Sequence, residues 1–405
     1  MRNCIVAQSG GPTAVINSSV MGVLEENLSI NYYDKVYAGI NGIEGILQEK
    51  IIDLTSLSND LSHNFKHTPS SGLGSCRYKM KDFRKDDSDY KKLFKILEKL
   101  DIKTFFYIGG NDSMDTVYQL SEYAKKNNLP TQFLGIPKTI DNDLMGTDHC
   151  PGFGSAAKYV ATVTLETYLD SSVYPTNGVF ILETMGRDAG WLTASSALAR
   201  IDGKPVADFI YLPETPFSKE NFLNDVKKKF EEQNQVFIVV SEGVRNENGV
   251  FISNIDSDSS LDKFGHIQLG GVCGYLKNLI IDNEITTRVK SLELGVLQRC
   301  AMHCASQTDI EEAFEVGKAA VKYSTQGKSG FMIAINRLSS VPYITEINLF
   351  EAAMVANQIK YFPSEWINME GNNINDEALE YFYPLIEGSP TLNLINSLPK
   401  YIKLK

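Results

Sequence analysis

The sequence predicts an α/β protein with mainly parallel sheets and helices on both faces of each sheet. Strand-like and helix-like segments alternate along the first half of the chain, which is typical of parallel sheets. The strand-like segments are short apolar runs, and several end on glycine or on a polar loop that leads into a helix. The chain has 405 residues, which is enough for two or three such units.

The first unit begins with an apolar strand at residues 3–8, a glycine turn and a helix. A further strand is predicted at 35–40 and an amphipathic helix at 90–100. A strand that ends at Gly109 and Gly110 comes next, and an Asn, Asp and Ser cluster then starts another helix. Ligands bind outside the carboxyl ends of parallel strands. Three polar loops fall at such ends, namely SGGPT, GGNDS and PKTIDND.

A second unit is predicted to begin near residue 153 with a long helix. A strand then runs into the polar loop MGRDAGW, and a later strand ends at Glu242. Residues 245–260 are rich in Asn, Asp and Ser and are predicted to form a surface excursion. The tail from about residue 340 shows few regular signals.

Composition narrows the class of function. The net charge of −11 argues against nucleic-acid binding but leaves room for anionic small molecules, which need only a local cluster of cations. No apolar run is long enough for a membrane span, and no signal peptide is visible. The six cysteines lack the spacing of a disulfide framework, and CAMHC (Cys300 to Cys304) lacks a second zinc-ligand pair. We therefore expect a soluble, cytoplasmic protein.

Two of the loops suggest phosphate binding. SGGPT lies between a strand and a helix, where glycine and backbone N–H groups admit a phosphate, although a plain turn would also use glycine. GGNDS repeats the arrangement and adds Asn111 and Asp112. An acid at a phosphate-binding helix start suggests a divalent ion. The alternative is that Asp112 and Ser113 only cap the helix.

PKTIDND combines acids with a lysine. One of Asp141 and Asp143 could act as a general base while the other meets a metal. Lys138 supplies a positive charge for a developing phosphate charge. A turn held by Asx hydrogen bonds is the alternative.

The second unit adds cations and one acid that suit a sugar phosphate. Arg187 follows a buried strand and suits a phosphate or carboxylate, although a salt bridge with Asp188 or Glu183 would also explain it. Glu242 can accept hydrogen bonds from hydroxyl groups. Arg288 and Arg299 could together hold a phosphate monoester.

In this order, the loops resemble those of the phosphofructokinase family of the bacterial six-phosphofructokinase type. The matching stretches span about residues 5 to 300 and are SGGPTAVIN, GLGSCR, YIGGNDSMD, PKTIDNDLMGTDHCPGFGSAA, ETMGRDAGWL, VSEG and TRVKSLELGVLQR. The resemblance implies two Rossmann-like three-layer α/β/α domains with mainly parallel sheets. It also implies that residues 1–152 plus about 300–405 bind diphosphate and Mg²⁺. Residues 153–299 would then bind fructose 6-phosphate.

The activity implied by the resemblance is phosphoryl transfer to the 1-hydroxyl of fructose 6-phosphate. The implied general base is Asp141, with Lys138 and Asp112 as further catalytic residues. Gly11 and Arg77 would contact the donor's phosphates, and Asn111 would bind the metal. The implied sugar-phosphate contacts are Thr139, Ile140, Asp141, Met185, Gly186, Arg187, Glu242, Arg288 and Arg299.

Two departures from the nucleotide-using members suggest inorganic diphosphate as the donor. Those members usually carry glycine at the positions of Asp112 and Lys138, and glycine leaves room for the α-phosphate of a nucleotide. A carboxylate at Asp112 would fill and repel that space, while Lys138 would stabilise a bare diphosphate. An ATP-dependent enzyme that tolerates Asp112 is the alternative, and sedoheptulose 7-phosphate is an alternative acceptor.

Other departures concern the metal, the subunit interface and the late sugar-phosphate loop. Asn111 stands where many members have a metal-binding aspartate, and Gly178 where tetrameric members have an arginine that crosses the interface. GHIQLGG (Gly265 to Gly271) looks like the late loop but lacks its arginine. Leu294 to Arg299 has that arginine, with Val296 at a position where histidine is common.

The resemblance also implies a homodimer or homotetramer. A catalytically silent sugar-phosphate-binding subunit is a competing hypothesis, and the intact Asp141, Arg187 and Glu242 argue against it. A dinucleotide-dependent dehydrogenase is a weaker one, because GGNDSM is not G-x-G-x-x-G.

Overall fold

The computed structural model describes residues 2–174, 178–254 and 270–404. Its strands are β1 (Asn3–Gln8), β2 (Lys35–Gly39), β3 (Ile51–Asp53), β4 (Ile102–Gly109), β5 (Gln132–Pro137), β6 (Gly178–Thr184), β7 (Arg200–Ile201), β8 (Lys204–Pro205), β9 (Phe209–Tyr211), β10 (Gln235–Ser241), β11 (Val289–Glu293), β12 (Phe331–Ser340), β13 (Tyr343–Glu351), β14 (Leu394–Ile395) and β15 (Leu398–Pro399). Its α-helices are α1 (Ile16–Ile30), α2 (Gly42–Leu47), α3 (Asn59–Lys66), α4 (Ser88–Lys99), α5 (Asn111–Lys126), α6 (Phe153–Ser171), α7 (Trp191–Ala194), α8 (Lys219–Gln233), α9 (Val272–Asp282), α10 (Gln307–Thr325), α11 (Ala352–Val355) and α12 (Glu377–Phe382).

Two sheets organise these elements. The larger sheet has the strand order β13-β12-β5-β4-β1-β2-β3, and the smaller has the order β11-β6-β10-β9. The smaller sheet is parallel throughout, whereas β3 and β13 run antiparallel at the two edges of the larger one. The prediction of an α/β fold with mainly parallel sheets is confirmed.

Each sheet has an apolar core on both faces. In β4, Phe105 packs with Phe133 on the face covered by α4 and α5, while Phe106 packs on the face covered by α1 and α10. Successive side chains of a strand point to opposite faces, so one apolar run serves both cores. In the smaller sheet, Phe237 stacks on Phe180 on one face, and Ile238 joins the core against α8 and α9 on the other. These are the three layers predicted for each unit.

The chain beyond residue 324 contributes to both units. Strands β12 and β13 complete the larger sheet, as the assignment of about 300–405 to the first domain requires. However, Phe362, Tyr381 and Phe382 pack around Trp191 and Phe153 in a core of the smaller sheet. The prediction assigned the whole of this tail to the first domain, whereas the tail packs against both units.

The expectation of few regular signals in the tail missed strand β13. Residues Tyr343–Glu351 alternate between half-buried and exposed positions along most of this edge strand, so no continuous apolar run marks them. Part of the predicted excursion at 245–260 and most of GHIQLGG lie outside the described residues. Among the described helices, none is long and apolar enough to cross a bilayer.

Candidate active site

A cleft of about 530 Å³ lies between the two sheets at the carboxyl ends of their strands. The three polar loops that follow β1, β4 and β5 form one wall, and the loops after β6 and β10 contribute to the other. The structure therefore brings together most of the predicted site residues. Those that line the cleft are Gly11, Arg77, Asn111, Asp112, Lys138, Thr139, Ile140, Asp141, Met185, Arg187, Glu242 and Arg299.

The glycine turn after β1 lies close to the lysine of the third loop. Gly10 has a φ of 76°, and a Cβ built there would be 3.2 Å from the Nζ of Lys138. A side chain at Gly10 would therefore strain the turn and crowd the ammonium group. The backbone carbonyl of Gly10 accepts a hydrogen bond of 2.6 Å from the hydroxyl of Ser75, which fixes the turn.

Asp112 lies in the first turn of α5 and is exposed to the cleft. The N-cap residue of this helix is Gly110, which has no side chain, so neither Asp112 nor Ser113 occupies the capping position. The alternative that Asp112 and Ser113 only cap the helix is therefore wrong. The Asp112 carboxylate instead faces the space in front of the helix.

The loop after β5 is held in place by its own side chains. The backbone N–H of Asp141 donates to the Thr139 hydroxyl at 3.0 Å. Asn142, with a φ of 55°, accepts from the Cys150 N–H at 2.9 Å and donates to the Tyr381 hydroxyl at 2.9 Å. Asn142 thus lies buried behind the loop, while Asp141 and Asp143 on either side of it line the cleft.

Burial and like charge shape the ionisation of the site. Burial raises the pKa of Asp141, and the Glu242 carboxylate adds to the rise, while Arg299 and Lys138 oppose it. Burial also raises the pKa of Asp143, and the charge of Asp141 adds to that effect. Burial lowers the pKa of Lys138 to about 8. An anionic ligand stabilises the charged form of Lys138 and destabilises the charged forms of Asp141 and Asp143. Binding of such a ligand therefore favours protonation of all three groups.

The second unit presents Glu242 and two arginines to the cleft. The Glu242 Oε1 accepts a hydrogen bond of 3.4 Å from the N–H of Gly186, whose φ is 133°. Gly186, which was predicted to contact the sugar phosphate, is not among the residues that line the cleft, and its N–H group instead binds the Glu242 side chain. Asp188 pairs with Arg245 at 2.5 Å, so this aspartate is engaged by an arginine other than Arg187.

The Asn111 side chain forms hydrogen bonds with the tail of the chain. Its side-chain N–H groups donate to the carbonyls of Val355 at 3.0 Å and Gln358 at 2.6 Å, and its oxygen accepts from the Asn357 N–H at 2.7 Å. Both ends of the amide hold the tail segment against α5. Asn111 therefore anchors the tail, and its assignment as a metal ligand stays a prediction.

Arg288 lies far from the cleft of its own chain. Its carbonyl accepts from the Val179 N–H at 2.9 Å, which places it at the amino ends of β6 and β11. The cleft lies at the carboxyl ends, roughly 16 Å away along a strand of five residues. Spacing in the sequence could not indicate at which end of β11 the arginine lies. The assignment of Arg288 as a sugar-phosphate contact stays a prediction.

Sequence reasoning missed several lining residues. Tyr78, Asp188, Asn357 and Ile359 all line the cleft. The last two come from the tail, where no motif marks them, and their proximity depends on the long-range bonds to Asn111. A sequence signal existed for Asp188, which belongs to the MGRDAGW loop.

The cleft offers ligands that suit Mg²⁺. Asp112 and Asp143 present carboxylate oxygens, which are hard ligands of the kind this ion prefers. In phosphoryl-transfer sites, one or two carboxylates bind the ion together with oxygens of the substrate phosphates. The Oδ1 of Asp141 is buried and lacks a hydrogen-bond partner among the described residues, so it remains available to a substrate hydroxyl.

Comparison with known proteins places the chain among phosphate-transferring enzymes. The family model described as Phosphofructokinase matches residues 3–324. The chain is 42% identical to a pyrophosphate--fructose 6-phosphate 1-phosphotransferase of Methylococcus capsulatus, over 100% of this chain and 96% of that protein. It is 33% identical to a sulfofructose kinase of Alkalicoccus urumqiensis, over 87% of this chain and 88% of that protein.

A solved structure supports the same assignment. The pyrophosphate-dependent phosphofructokinase of Nitrosospira multiformis aligns with a TM-score of 0.89 at 37% identity, covering 100% of this chain and 96% of that one. The match extends through the tail, beyond the end of the family model at residue 324. The sequence, the fold and the layout of the cleft therefore agree, and the chain belongs to the phosphofructokinase family.

Proposed function

We propose that the protein transfers a phosphoryl group from inorganic diphosphate to the 1-hydroxyl of fructose 6-phosphate. The products are fructose 1,6-bisphosphate and phosphate. The observation that carries this proposal is the presence of Asp112 and Lys138 in one cleft, at the donor side of the loop that bears Asp141. The names of full-length relatives with about 40% identity support the same donor and acceptor.

In this mechanism, Asp141 accepts the proton of the 1-hydroxyl as that oxygen attacks the nearer phosphorus of diphosphate. The bond between this phosphorus and the bridging oxygen breaks, and orthophosphate leaves. The raised pKa of Asp141 matches this task, because a carboxylate of higher pKa is a stronger base. We assign as proton acceptor its Oδ1, which is buried and has no hydrogen-bond partner in the described part of the chain.

Charge stabilisation comes from the donor wall. Lys138 stabilises the oxygens of the transferring phosphoryl group, together with the N–H group of Gly11 in the adjacent turn. Arg187, Arg299 and Glu242 orient the sugar phosphate from the opposite wall. We assign Asp112 and Asp143 to hold Mg²⁺, which when bound would neutralise charge on the diphosphate oxygens.

The test compares donors directly. Initial rates are measured with fructose 6-phosphate and Mg²⁺, with either diphosphate or ATP as the only donor. We expect turnover with diphosphate and none with ATP. Turnover with ATP alone would overturn the assignment of the donor, while a parallel assay with sedoheptulose 7-phosphate would define the acceptor.

We also propose that the protein is a homodimer or homotetramer in which Arg288 reaches the active site of another copy. The arginine is exposed at the amino end of edge strand β11, where a second chain can pack. A contact with the sugar phosphate of another copy would explain why Arg288 matches a sugar-phosphate-binding position of the family and yet lies far from the cleft of its own chain.

The six cysteines are free thiols, which supports a reducing compartment such as the cytoplasm.

Mixed oligomers test the role of Arg288. We expect Arg288→Ala and Asp141→Ser proteins to be inactive alone, and to regain activity after they are unfolded and refolded together. A hybrid would contain one site with Asp141 from one chain and Arg288 from the other. If no activity returns although light scattering shows hybrid oligomers, then Arg288 does not complete a neighbouring site.

A further inference from the structure

The tail segment at residues 355–362 contacts three parts of the active site, namely the donor wall, the loop of Asp141 and the second unit. It follows α11, passes the N-terminus of α5, runs behind the loop of Asp141 and ends against the second unit. Two of its residues, Asn357 and Ile359, line the cleft. The segment begins 31 residues after the end of the family model at residue 324, so no family motif covers it.

At the donor end, the segment is bonded to the helix that bears Asp112. The three hydrogen bonds between Asn111 and the backbone of Val355, Asn357 and Gln358 fix it there. Asn357 has a φ of 60°, which asparagine tolerates better than most residues. The tail is therefore bonded directly to the donor wall.

Lys360 connects the segment to the catalytic loop. Its backbone N–H donates to the carbonyl of Asp143 at 2.8 Å. Its ammonium group donates to the carbonyls of Asp148 at 2.6 Å and Thr147 at 3.2 Å, and lies 3.5 Å from the Oδ1 of Asn142. One side chain thus binds both the middle of the loop, at Asn142, and its later part, at Thr147 and Asp148.

The same residue contacts the second unit. The carbonyl of Lys360 accepts from the indole N–H of Trp191 at 2.8 Å, and its ammonium lies 4.9 Å from the centre of the Trp191 ring. Two residues later, the N–H of Phe362 donates to Glu214 at 2.8 Å, and the same carboxylate oxygen accepts from Gly190 at 2.8 Å. Trp191 and Gly190 directly follow the MGRDA loop that faces the cleft.

We propose that Lys360 is a positioning residue for phosphoryl transfer, which fixes the loop of Asp141 relative to the donor wall and the sugar-binding wall. The inference rests on the proposed function. Burying an ammonium group is costly unless it is well bonded, and an apolar side chain would fill the space at lower cost. Here the ammonium is directed at carbonyls of the loop that carries the base, so the bonds it makes set the position of that loop.

The experiment replaces Lys360 and separates positioning from folding. Lys360→Met keeps the length of the side chain but removes the three hydrogen-bond donors, while Lys360→Arg keeps the charge and donors. Lys228→Met, at an exposed position on α8, is the matched control. Each protein is assayed for kcat and for both KM values, and its folded fraction is determined by fructose 6-phosphate binding.

We expect Lys360→Met to lower kcat per folded molecule by about 100-fold, because a shift of about 1 Å in a reacting group has that effect. Both KM values should change by less than about threefold, since Lys360 touches neither substrate. Lys360→Arg should recover at least a tenth of the wild-type kcat, and the control should be unaffected. If Lys360→Met does not fold, Lys360→Gln, which keeps a shorter donor, should show the same loss of kcat.

Other outcomes would overturn the inference. A wild-type kcat in the folded fraction of Lys360→Met would show that the segment only stabilises the fold. A rise in both KM values that accounts for the whole loss of kcat/KM would show an effect on substrate binding alone, and it would also overturn the inference. Failure of the wild-type protein to use diphosphate would instead count against the proposed function, so the two failures are distinguishable.

Discussion

At the scale of single residues, the cleft separates groups that act on the substrate from groups that hold others in place. Asp141 presents a buried carboxylate oxygen without a partner among the described residues, which is costly unless a ligand completes it. Asn111 lies in the same cleft, but both ends of its amide form hydrogen bonds with the tail. Lining a cleft is therefore not sufficient to assign a role, and hydrogen-bond partners decide it.

Replacing Asp141 with serine should remove turnover without removing the sugar site. We expect kcat to fall by about 10³-fold, within the usual contribution of a general base. Fructose 6-phosphate should still bind, because Arg187, Arg299 and Glu242 remain. Isothermal titration with the sugar phosphate and an assay of the same sample check both points, and retained turnover would contradict the assignment of the base.

Replacing Asn111 with aspartate distinguishes an anchor from a metal ligand. The carboxylate keeps an acceptor for Asn357 but loses both donors and repels the carbonyls of Val355 and Gln358. We expect the KM for diphosphate to rise by about tenfold, since each lost bond is worth about 1 kcal/mol. The measurements are the KM for diphosphate and the dependence of activity on Mg²⁺ concentration. Saturation at a lower Mg²⁺ concentration than in wild type would indicate that residue 111 binds the metal ion.

At the scale of elements, the close crossing of α1 and α10 keeps the glycine turn in place. A Cβ at Gly22 would lie 2.1 Å from the carbonyl oxygen of Phe314, and a Cβ at Gly317 would lie 2.2 Å from that of Ser19. Two glycines therefore let the helix backbones touch. Because α1 starts directly after the SGGPT turn, the position of α10 helps to set the phosphate-binding end of α1.

Replacing Gly317 with alanine should force the two helices apart. We expect a loss of about 1–3 kcal/mol in the free energy of unfolding, as is usual for overpacked sites. Gly274→Ala in α9 is the matched control, because no described residue comes within 4 Å of its added Cβ and alanine favours helices. Urea unfolding of both variants provides the comparison. Equal stabilities would show that the helices separate at little cost.

At the scale of the whole molecule, a buried ionic network ties the return of the catalytic loop to α10 and the edge hairpin. His149 is bonded to Asp148 at 2.8 Å and to Glu312 at 2.5 Å, while Tyr343 donates to Glu312 at 2.6 Å. Burial alone would lower the pKa of His149. The two carboxylates outweigh it and raise the pKa to about 9. An imidazole between two carboxylates donates from both nitrogens only when it is protonated.

The network predicts a dependence of stability on pH. The pKa of His149 is higher in the folded chain than the usual 6.5, so its contribution is complete below pH 6.5 and is lost as pH rises through 9. Wild type should therefore lose stability over this range relative to His149→Gln, which cannot titrate. Urea unfolding at pH 6.5, 8 and 9.5 measures the difference between the two proteins. A difference that does not change with pH would contradict the prediction.

The sequence was sufficient for the features that depend on local pattern. Buried parallel strands are continuous apolar runs, so β1, β4 and β5 and the loops after them were predicted, and those loops do line one cleft. The anchoring role of Asn111 depends on partners 244 to 247 residues away, which no local pattern encodes. The position of Arg288 depends on strand direction in the sheet, and edge strand β13 lacks an apolar run.

The junction between the tail and the second unit also contains the only tryptophans of the chain, Trp191 and Trp366. Their ring centres lie 6.1 Å apart, and Trp191 donates to Lys360. The tryptophan fluorescence of the protein therefore originates from one place, directly behind the catalytic loop. Stopped-flow fluorescence of the unmodified protein can thus follow rearrangement of the active site during each turnover, without an attached dye.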